Sequence, residues 1–173
     1  MSKVLFGTLK IIGHDVKMKI PILKVNKYST QININGELKD EILDFQNNLS
    51  EVIEYEKEPH ITVLYGIEKL SDKDKINKDK LSGKLGAIKK FEKEDSDVIY
   101  IEVISDDLIN KNKEISNFVN YSSDYNKYIP HLTLAYVKKG SNDSLLNNNR
   151  FLDRLFKDLP LLFCHKNEKK EIV

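Results

Sequence analysis

Residues 59–65 read Pro-His-Ile-Thr-Val-Leu-Tyr, and residues 130–136 read Pro-His-Leu-Thr-Leu-Ala-Tyr. Their histidines, His60 and His131, are 71 residues apart (131 − 60), and a threonine follows each of them two positions later. Pro, His and Thr each occur only four times in the chain, so half of each kind falls within these two short segments. Self-similarity at a fixed separation indicates an internal architectural repeat.

Both segments are rich in β-branched and apolar residues and begin at a proline, which is typical of a strand. Side chains at positions i and i+2 of a strand share a face. His60 and Thr62 are therefore predicted to point the same way, and so are His131 and Thr133.

Each segment also ends in a tyrosine, five residues after its histidine: Tyr65 and Tyr136. An offset of five is odd, so regular alternation predicts that both rings face away from the histidine side. We therefore interpret both tyrosines as core or strand-end residues rather than catalytic ones.

A pairing of the two repeats would bring two imidazoles and two hydroxyls into one cleft. Because imidazole has an ordinary pKa of about 6.5, one histidine can be neutral while the other is protonated near pH 7. Paired general base and general acid catalysis needs that combination, and threonine hydroxyls can donate to phosphoryl oxygens. Two His and two Thr are a poor set of metal ligands. The sequence therefore predicts phosphodiester chemistry with no metal site and no cofactor.

The rest of the chain alternates between strand-like and helix-like periodicity. Predicted strands cover residues 3–12, 16–25, 28–34, 60–65, 84–92, 97–104, 131–137, 161–165 and 169–173. Predicted helices cover residues 37–53, 107–120 and a third segment that runs from Leu145 to a stop at Pro160. Residues 67–83 are rich in Lys and Asp and carry only weak helical anchors. Mixed strands and helices with several hairpins indicate an α+β fold rather than a doubly wound parallel sheet.

Length and composition limit the possible classes of protein. The chain has 173 residues with 28 Lys or Arg against 27 Asp or Glu, for a net charge of +1. We expect one domain over residues 1–173 with an additional hairpin over residues 1–27. Without a basic excess, binding to long nucleic acid is disfavoured.

The cysteine count and the hydropathy pattern restrict the environment. A single cysteine, Cys164, excludes an intrachain disulfide and a Cys-rich zinc site, and it suits a reducing cytoplasm. No stretch approaches the roughly 20 apolar residues needed to cross a bilayer. We expect a cytoplasmic monomer that takes a small ligand and makes no membrane contact.

At the two His-x-Thr segments the sequence resembles the two-histidine (2H) phosphoesterase superfamily, whose signature is one such motif in each of two lobes. The segments "EPHITVLYG" and "PHLTLAYV" most resemble those of the tailed-phage branch, whose members degrade the cyclic oligonucleotide signals of CBASS defence. The resemblance covers the chain from about residue 28 onward. It implies a bilobal α+β fold in which two antiparallel sheets, flanked by helices, form a central cleft with pseudo-twofold symmetry.

The resemblance also implies a metal-independent mechanism with four catalytic residues: His60, Thr62, His131 and Thr133. One histidine would deprotonate a ribose 2′-hydroxyl, which attacks the adjacent 3′–5′ phosphate, and the other would protonate the 5′-oxygen. Which histidine is the base stays open at this point. The substrate would be a cyclic di- or trinucleotide such as cGAMP, cleaved in the host cytoplasm so that a phage evades immunity. The alternatives are an RNA 2′,3′-cyclic phosphodiesterase or related RNA-processing enzyme, and a catalytically silent nucleotide-binding module.

Three tyrosines are candidates for binding the nucleobases, because a base stacks well on an aromatic ring. Tyr28 opens the third predicted strand, where it either reaches the rim of the cleft or packs in the core. Tyr125 and Tyr128 lie in a polar loop just before Pro130, where they either form a lip for a base or pack on the domain.

Overall fold

The computed structural model describes residues 28–165. The hairpin predicted for residues 1–27 and the strand predicted for residues 169–173 lie outside the described residues. The elements in chain order are β1 (Tyr28–Asn33), α1 (Gly36–Gln46), β2 (Val52–Tyr55), β3 (His60–Ile67), β4 (Lys80–Glu92), β5 (Ser96–Ile104), α2 (Asp106–Ser116), β6 (His131–Lys138), β7 (Leu155–Pro160) and β8 (Leu162–His165). Short 3₁₀ turns occupy Leu70–Lys75 and Asp143–Leu145. This mixture confirms the α+β class.

The eight strands form one antiparallel sheet in the order β7-β4-β5-β6-β3-β1-β8, with β2 also paired to β6. The two central strands, β3 and β6, pair at a single position, Ile61 opposite Leu132. Farther along, β6 pairs with β2 instead, from Tyr55 opposite Ala135 onward. Two separate sheets were predicted, whereas hydrogen bonding joins the two halves into one sheet at this junction.

Apolar residues from the central strands and both helices fill one core. Ile61 and Leu132 are fully buried, as are Ile42 of α1 and Leu108 of α2. Since side chains alternate along a strand, the neighbours of Ile61 and Leu132 point to the opposite face. The two histidine motifs therefore lie on the face of the sheet that does not contribute these core residues.

Helix α1 is shorter than the predicted 37–53 segment, because the chain turns at Asn47–Ser50 and enters β2. Glu51 has a positive φ of 52°, which a right-handed helix cannot contain. Helix α2 begins close to its predicted start, where the Ser105 hydroxyl accepts a hydrogen bond from the Leu108 N–H at 3.1 Å. A serine at this position supplies the partner that a first-turn N–H lacks.

The third predicted helix is wrong. Residues 155–160 form strand β7, which pairs with β4. Asn147, Asp153 and Asp158 have positive φ angles of 62°, 61° and 52°, a left-handed conformation that a right-handed helix cannot contain. Asn and Asp tolerate this conformation better than most residues. Of the apolar residues whose spacing suggested the helix, Phe156 and Leu159 are buried, whereas Leu152 and Leu155 are exposed.

The other predicted strands from residue 28 to residue 165 are confirmed, with differences of a few residues at their ends. Residues 67–83 contain the end of β3, a 3₁₀ turn and the start of β4 rather than a helix. No helix in residues 28–165 has the length and apolarity that crossing a membrane requires.

Candidate active site

His60 and His131 are the first residues of β3 and β6. The one pairing between these strands joins the residues that directly follow the histidines, Ile61 and Leu132. Because the strands are antiparallel, extending this register by one residue in each direction sets His60 across from Thr133 and Thr62 across from His131. The structure therefore brings the four predicted catalytic residues together on one face of the sheet.

The proline before each histidine starts its strand in the same way. Pro59 accepts a hydrogen bond at its carbonyl from the Ile34 N–H at 2.9 Å, and Pro130 accepts one from the Val103 N–H at 3.3 Å. A proline has no N–H to offer a neighbouring strand, so it is suited to this first position. Each histidine thus follows a backbone group that an adjacent strand holds in place.

Both imidazoles are oriented by the backbone two residues earlier. The Nδ1 atom of His60 lies 2.8 Å from the Glu58 carbonyl oxygen, and Nδ1 of His131 lies 2.7 Å from the Ile129 carbonyl oxygen. A carbonyl oxygen can only accept, so Nδ1 carries a proton in both rings. Each Nε2 is therefore the nitrogen that gains or loses a proton when the ring titrates.

The surroundings of the two imidazoles differ. His131 is walled by Phe91 and Tyr100, whose ring centroids lie 5.0 Å and 5.5 Å from its own, both in edge-on geometry. Phe91 and Tyr100 stack on each other at 4.0 Å. Burial lowers the pKa of His131, and positive charge on His60 lowers it further, against the opposing effect of the hydrogen bond to the Ile129 carbonyl.

Polar groups surround His60 instead. The nearest Glu56 carboxylate oxygen lies 3.8 Å from its Nδ1 atom, which is an ion pair when the ring is protonated. Across the β1 side, Asn33 pairs with His60 and Gln31 pairs with Thr62. The Gln31 amide donates to the Asn33 side-chain oxygen at 2.7 Å.

On the β5 side, Glu102 pairs with His131 and Tyr100 pairs with Thr133. Glu102 also forms an ion pair with Lys89 at 3.1 Å. Sequence reasoning missed these neighbours, as it missed Asn33 and Gln31, because nothing in a single strand reveals which strand lies beside it. Knowledge of the strand order and register would have found all of them.

A β-bulge interrupts each histidine strand at the same place. On β3, Gln31 pairs with Thr62 and Thr30 pairs with Leu64, so Val63 is an extra residue. On β6, Leu134 is the extra residue, because Tyr100 pairs with Thr133 and Ile99 pairs with Ala135. Both extra residues lie three positions after their histidine.

The bulges overturn the prediction for Tyr65 and Tyr136. In both strands the burial pattern reads half-buried at the histidine, the threonine and the tyrosine, with two consecutive buried residues before the tyrosine. One extra residue inverts the alternation, so an odd offset returns each tyrosine to the histidine face. Lys93 places its ammonium 5.1 Å from the ring centroid of Tyr136.

The family described as "Anti-CBASS protein Acb1" matches residues 26–152, which is about three quarters of the chain and includes both histidine strands. The chain belongs to this family. It is therefore an anti-CBASS protein by family. No curated protein matches the chain. The Acb1 family region begins just before β1 and ends before β7, so it contains every side chain of the candidate site described above.

Tyr28, at the start of the Acb1 family region, lies away from His60 and His131. It pairs with Ile67, seven residues beyond His60 and about 23 Å along the strand. Its ring is 9% exposed and stacks against Phe163 at 5.4 Å and His165 at 4.9 Å. The structure does not bring Tyr28 to the His-x-Thr groups, and a role in base stacking stays a prediction.

Tyr125 and Tyr128 lie in the connection between α2 and β6, also within the Acb1 family region. Tyr125 is 70% exposed. Burial raises the pKa of Tyr136, and negative charge on Glu56 and Tyr125 raises it further. The Tyr128 hydroxyl donates to the Thr62 carbonyl at 2.9 Å, and burial raises its pKa. Base stacking by either ring stays a prediction.

In the part of the chain from residue 28 to residue 165, no three His, Cys, Asp or Glu side chains gather in a group that could hold a metal ion. The groups that the site offers to a ligand are two imidazole Nε2 atoms, two threonine hydroxyls, neighbouring amides and aromatic rings. These groups can move protons and bind an anion.

Proposed function

We propose that this member of the Acb1 family is a 2H phosphodiesterase that cleaves the 3′–5′ bonds of cyclic di- or trinucleotide signals. The observation that carries the proposal is the pair of imidazoles on adjacent strand starts, each with Nδ1 bound to a backbone carbonyl. Two rings fixed in this way can exchange protons only through Nε2. One can accept a proton while the other donates one, as general base and general acid.

We assign the base to His131 and the acid to His60. The aromatic wall of Phe91 and Tyr100 keeps His131 in its neutral form, because burial lowers the pKa of that ring. The nearest Glu56 carboxylate oxygen lies 3.8 Å from Nδ1 of His60, so a protonated ring at this position forms an ion pair. The charge of a protonated His60 further favours a neutral His131.

In the reaction, Nε2 of His131 takes the proton of a ribose 2′-hydroxyl. The 2′-oxygen attacks the adjacent phosphorus and forms the new O–P bond. The bond from phosphorus to the 5′-oxygen breaks, and that oxygen receives the proton from Nε2 of His60. The product carries a 2′,3′-cyclic phosphate, and the two histidines have exchanged protonation states. Addition of water with the roles reversed gives a 3′-phosphate and restores both.

Thr62 and Thr133 donate hydrogen bonds to the non-bridging oxygens, where negative charge develops. The register that pairs Ile61 with Leu132 sets each threonine across from the opposite histidine, which supports this role. The equivalent proline, tautomer and bulge on both strands support a pseudo-twofold relation between two lobes around the cleft.

The enzyme acts as a monomer in the cytoplasm of the host bacterium and needs neither a metal nor a cofactor. A net charge of +1 suits a small enclosed substrate better than a long polyanion, which requires many phosphate contacts. Removal of the signal would suppress CBASS defence, in keeping with the family.

The test is an incubation of the purified protein with a substrate panel, with and without EDTA. The panel holds cyclic di- and trinucleotides with 3′–5′ and 2′–5′ linkages, their 2′-deoxy analogues, and an RNA that ends in a 2′,3′-cyclic phosphate. We expect EDTA-insensitive cleavage of the ribose 3′–5′ linkages and no cleavage of the deoxy analogues.

Cleavage of the deoxy analogues, or full inhibition by EDTA, would contradict the 2′-hydroxyl mechanism. Turnover of the RNA end in preference to every cyclic signal would favour the RNA-processing alternative. Tight binding of a cyclic dinucleotide with no turnover would favour the other alternative, a catalytically silent nucleotide-binding module.

A further inference from the structure

The bulge on each histidine strand creates a local need for hydrogen bonds. An extra residue has no partner on the neighbouring strand, so its backbone groups must find another one. The extra residues are Val63 on β3 and Leu134 on β6, each three positions after its histidine and each fully buried. Because these residues are buried, their backbone groups need hydrogen-bond partners within the protein.

On β3 the partner is a carboxamide from helix α2. The Nδ2 atom of Asn112 donates to the Val63 carbonyl at 2.7 Å. The next N–H, that of Leu64, donates to the hydroxyl of the buried Thr30 at 3.1 Å. The two backbone groups at this bulge are thus held by side chains from different elements.

On β6 the partner is a carboxamide from helix α1. The Nε2 atom of Gln46 donates to the Leu134 carbonyl at 2.9 Å and to the Glu56 carbonyl at 2.7 Å, so both amide protons are used. The Glu56 N–H donates to the same Leu134 carbonyl at 3.0 Å. Gln46 is 5% exposed, so its amide binds these backbone carbonyls rather than solvent.

Each helix donates a hydrogen bond to the histidine strand that belongs to the other motif. Helix α1 precedes β3 in the chain, but its Gln46 binds β6, 88 residues away. Helix α2 precedes β6, but its Asn112 binds β3, 49 residues away. If α1 and β3 are taken as one half of the site, and α2 and β6 as the other, each half supplies the amide that binds the histidine strand of the other half.

We propose that Gln46 and Asn112 are positioning residues, each of which fixes the imidazole and threonine of the opposite half. Both amides bind the carbonyl immediately after the threonine of the motif, and the bulge at that carbonyl decides which side chains face the cleft. The His-x-Thr pair lies on one side of the bulge and the tyrosine segment on the other, so loss of the bulge would turn one of these two groups to the opposite face of the sheet. The catalytic part of this inference rests on the proposed phosphodiesterase function, whereas the crossed positioning does not.

The experiment compares Gln46→Met and Asn112→Leu, which keep much of the volume of the side chain but cannot donate. The imidazoles are followed by ¹⁵N NMR in histidine-labelled protein, and turnover is measured on the cyclic dinucleotide that the wild-type protein cleaves. We expect Gln46→Met to perturb the His131 signals and spare those of His60, and Asn112→Leu to do the reverse. We expect each change to lower kcat about 10- to 100-fold and to leave KM within about threefold, as small misplacements of reacting groups do.

The matched control is Asn48→Leu, which removes an amide that donates to the Phe45 carbonyl at 3.0 Å but touches neither histidine strand. It should leave both imidazoles and kcat unchanged. Gln46→Asn and Asn112→Ser keep a donor at shorter reach, and they should show the same crossed pattern with smaller shifts. They replace the first pair if that pair does not fold.

The proposal is overturned if each variant perturbs the histidine of its own half, if both histidines shift alike, or if stability falls while the imidazoles and kcat stay as in the wild type. A failure of the proposed function is distinguishable. In that case the wild-type protein would cleave no cyclic oligonucleotide, while the crossed shifts of the imidazole signals would still be present.

Discussion

The two halves of the candidate site start from nearly the same seven residues and end in different surroundings. Both strands begin after a proline, both hold Nδ1 on a carbonyl, and both bulge three residues after the histidine. His131, however, lies against two aromatic rings, whereas His60 lies beside a carboxylate and an amide pair. The duplicated motif supplies two equivalent proton carriers, and the neighbouring strands make them chemically unequal. In the proposed mechanism, an acid and a base thus arise from one repeated sequence.

The first prediction removes one proton carrier at a time. His60→Ala and His131→Ala should each lower kcat by about 10³-fold or more, because general acid and base groups typically contribute 10²- to 10⁴-fold each. The double variant should be little worse than either single one, since the two rings act as a unit. Single-turnover rates on a cyclic dinucleotide measure this.

The control for the histidine variants is His14→Ala, which lies outside both repeated segments and should retain wild-type turnover. If either motif variant retained more than about a tenth of the wild-type kcat, its ring would not be a proton carrier.

The second prediction compares the two hydroxyls. Thr62→Val and Thr133→Val keep the side-chain shape and lose the donor, and each should lower kcat by about 100-fold, in the range found for a lost oxyanion donor. Thr→Ser at the same position should restore most of the rate. If kcat fell in only one of the two Thr→Val variants, the phosphate would lie closer to that threonine.

The third prediction concerns stability and the point where the halves differ in sequence. Six residues after its histidine, β3 has Gly66 and β6 has Val137. Gly66 has a φ of +85°, and a Cβ there would lie 1.9 Å from the Ser122 carbonyl oxygen. Gly66→Ala should therefore lower the free energy of unfolding by roughly 3 kcal/mol, combining backbone strain with a clash.

Gly140→Ala is the matched control for that change. Gly140 also has a positive φ, +75°, but a Cβ there meets nothing within 4 Å. It should cost only about 1 kcal/mol. Equal denaturant midpoints for the two variants would show that the contact with Ser122 does not constrain this part of β3.

The fourth prediction, which has the smallest expected effect, tests what makes the surroundings of His131 differ from those of His60. Phe91→Ala opens one side of His131 to solvent, so the lowered pKa of that ring should move back toward its ordinary value. Because His131 must be neutral to act as the base, the acidic limb of the pH–rate profile should shift to higher pH. The charged groups near His131 remain in place: His60, Glu102 and Lys89.

Phe163→Ala serves as the control for Phe91, since Phe163 stacks on Tyr28 rather than on a catalytic ring. Its pH profile should match that of the wild type. An unchanged acidic limb in Phe91→Ala would mean that the aromatic wall does not set the protonation of the base.

The sequence was informative where one strand carries the signal by itself. The repeated Pro-His-x-Thr segments predicted β3, β6 and the shared face of His60, Thr62, His131 and Thr133. It failed where the answer depends on a partner. The extra residues Val63 and Leu134 exist only relative to the strand opposite, so the orientation of Tyr65 and Tyr136 could not follow from alternation alone.

The same reason explains the other differences. The spacing of Leu152, Leu155, Phe156 and Leu159 fits a helix locally. Positive φ at three polar residues and pairing with β4 direct the chain into a strand instead. The amides of Gln46 and Asn112 act across 88 and 49 residues. A short-range pattern does not contain such contacts.

The single pairing of Ile61 with Leu132 has a geometric consequence for the shape of the site. The histidines and threonines lie one residue from this pairing, about 3.3 Å along the strands. A 10° change in the angle between the halves would displace atoms at that radius by about 0.6 Å, but would displace Tyr65 and Tyr136, about four residues out, by more than 2 Å. A change in this angle would therefore alter the outer part of the site much more than the spacing of the histidines and threonines.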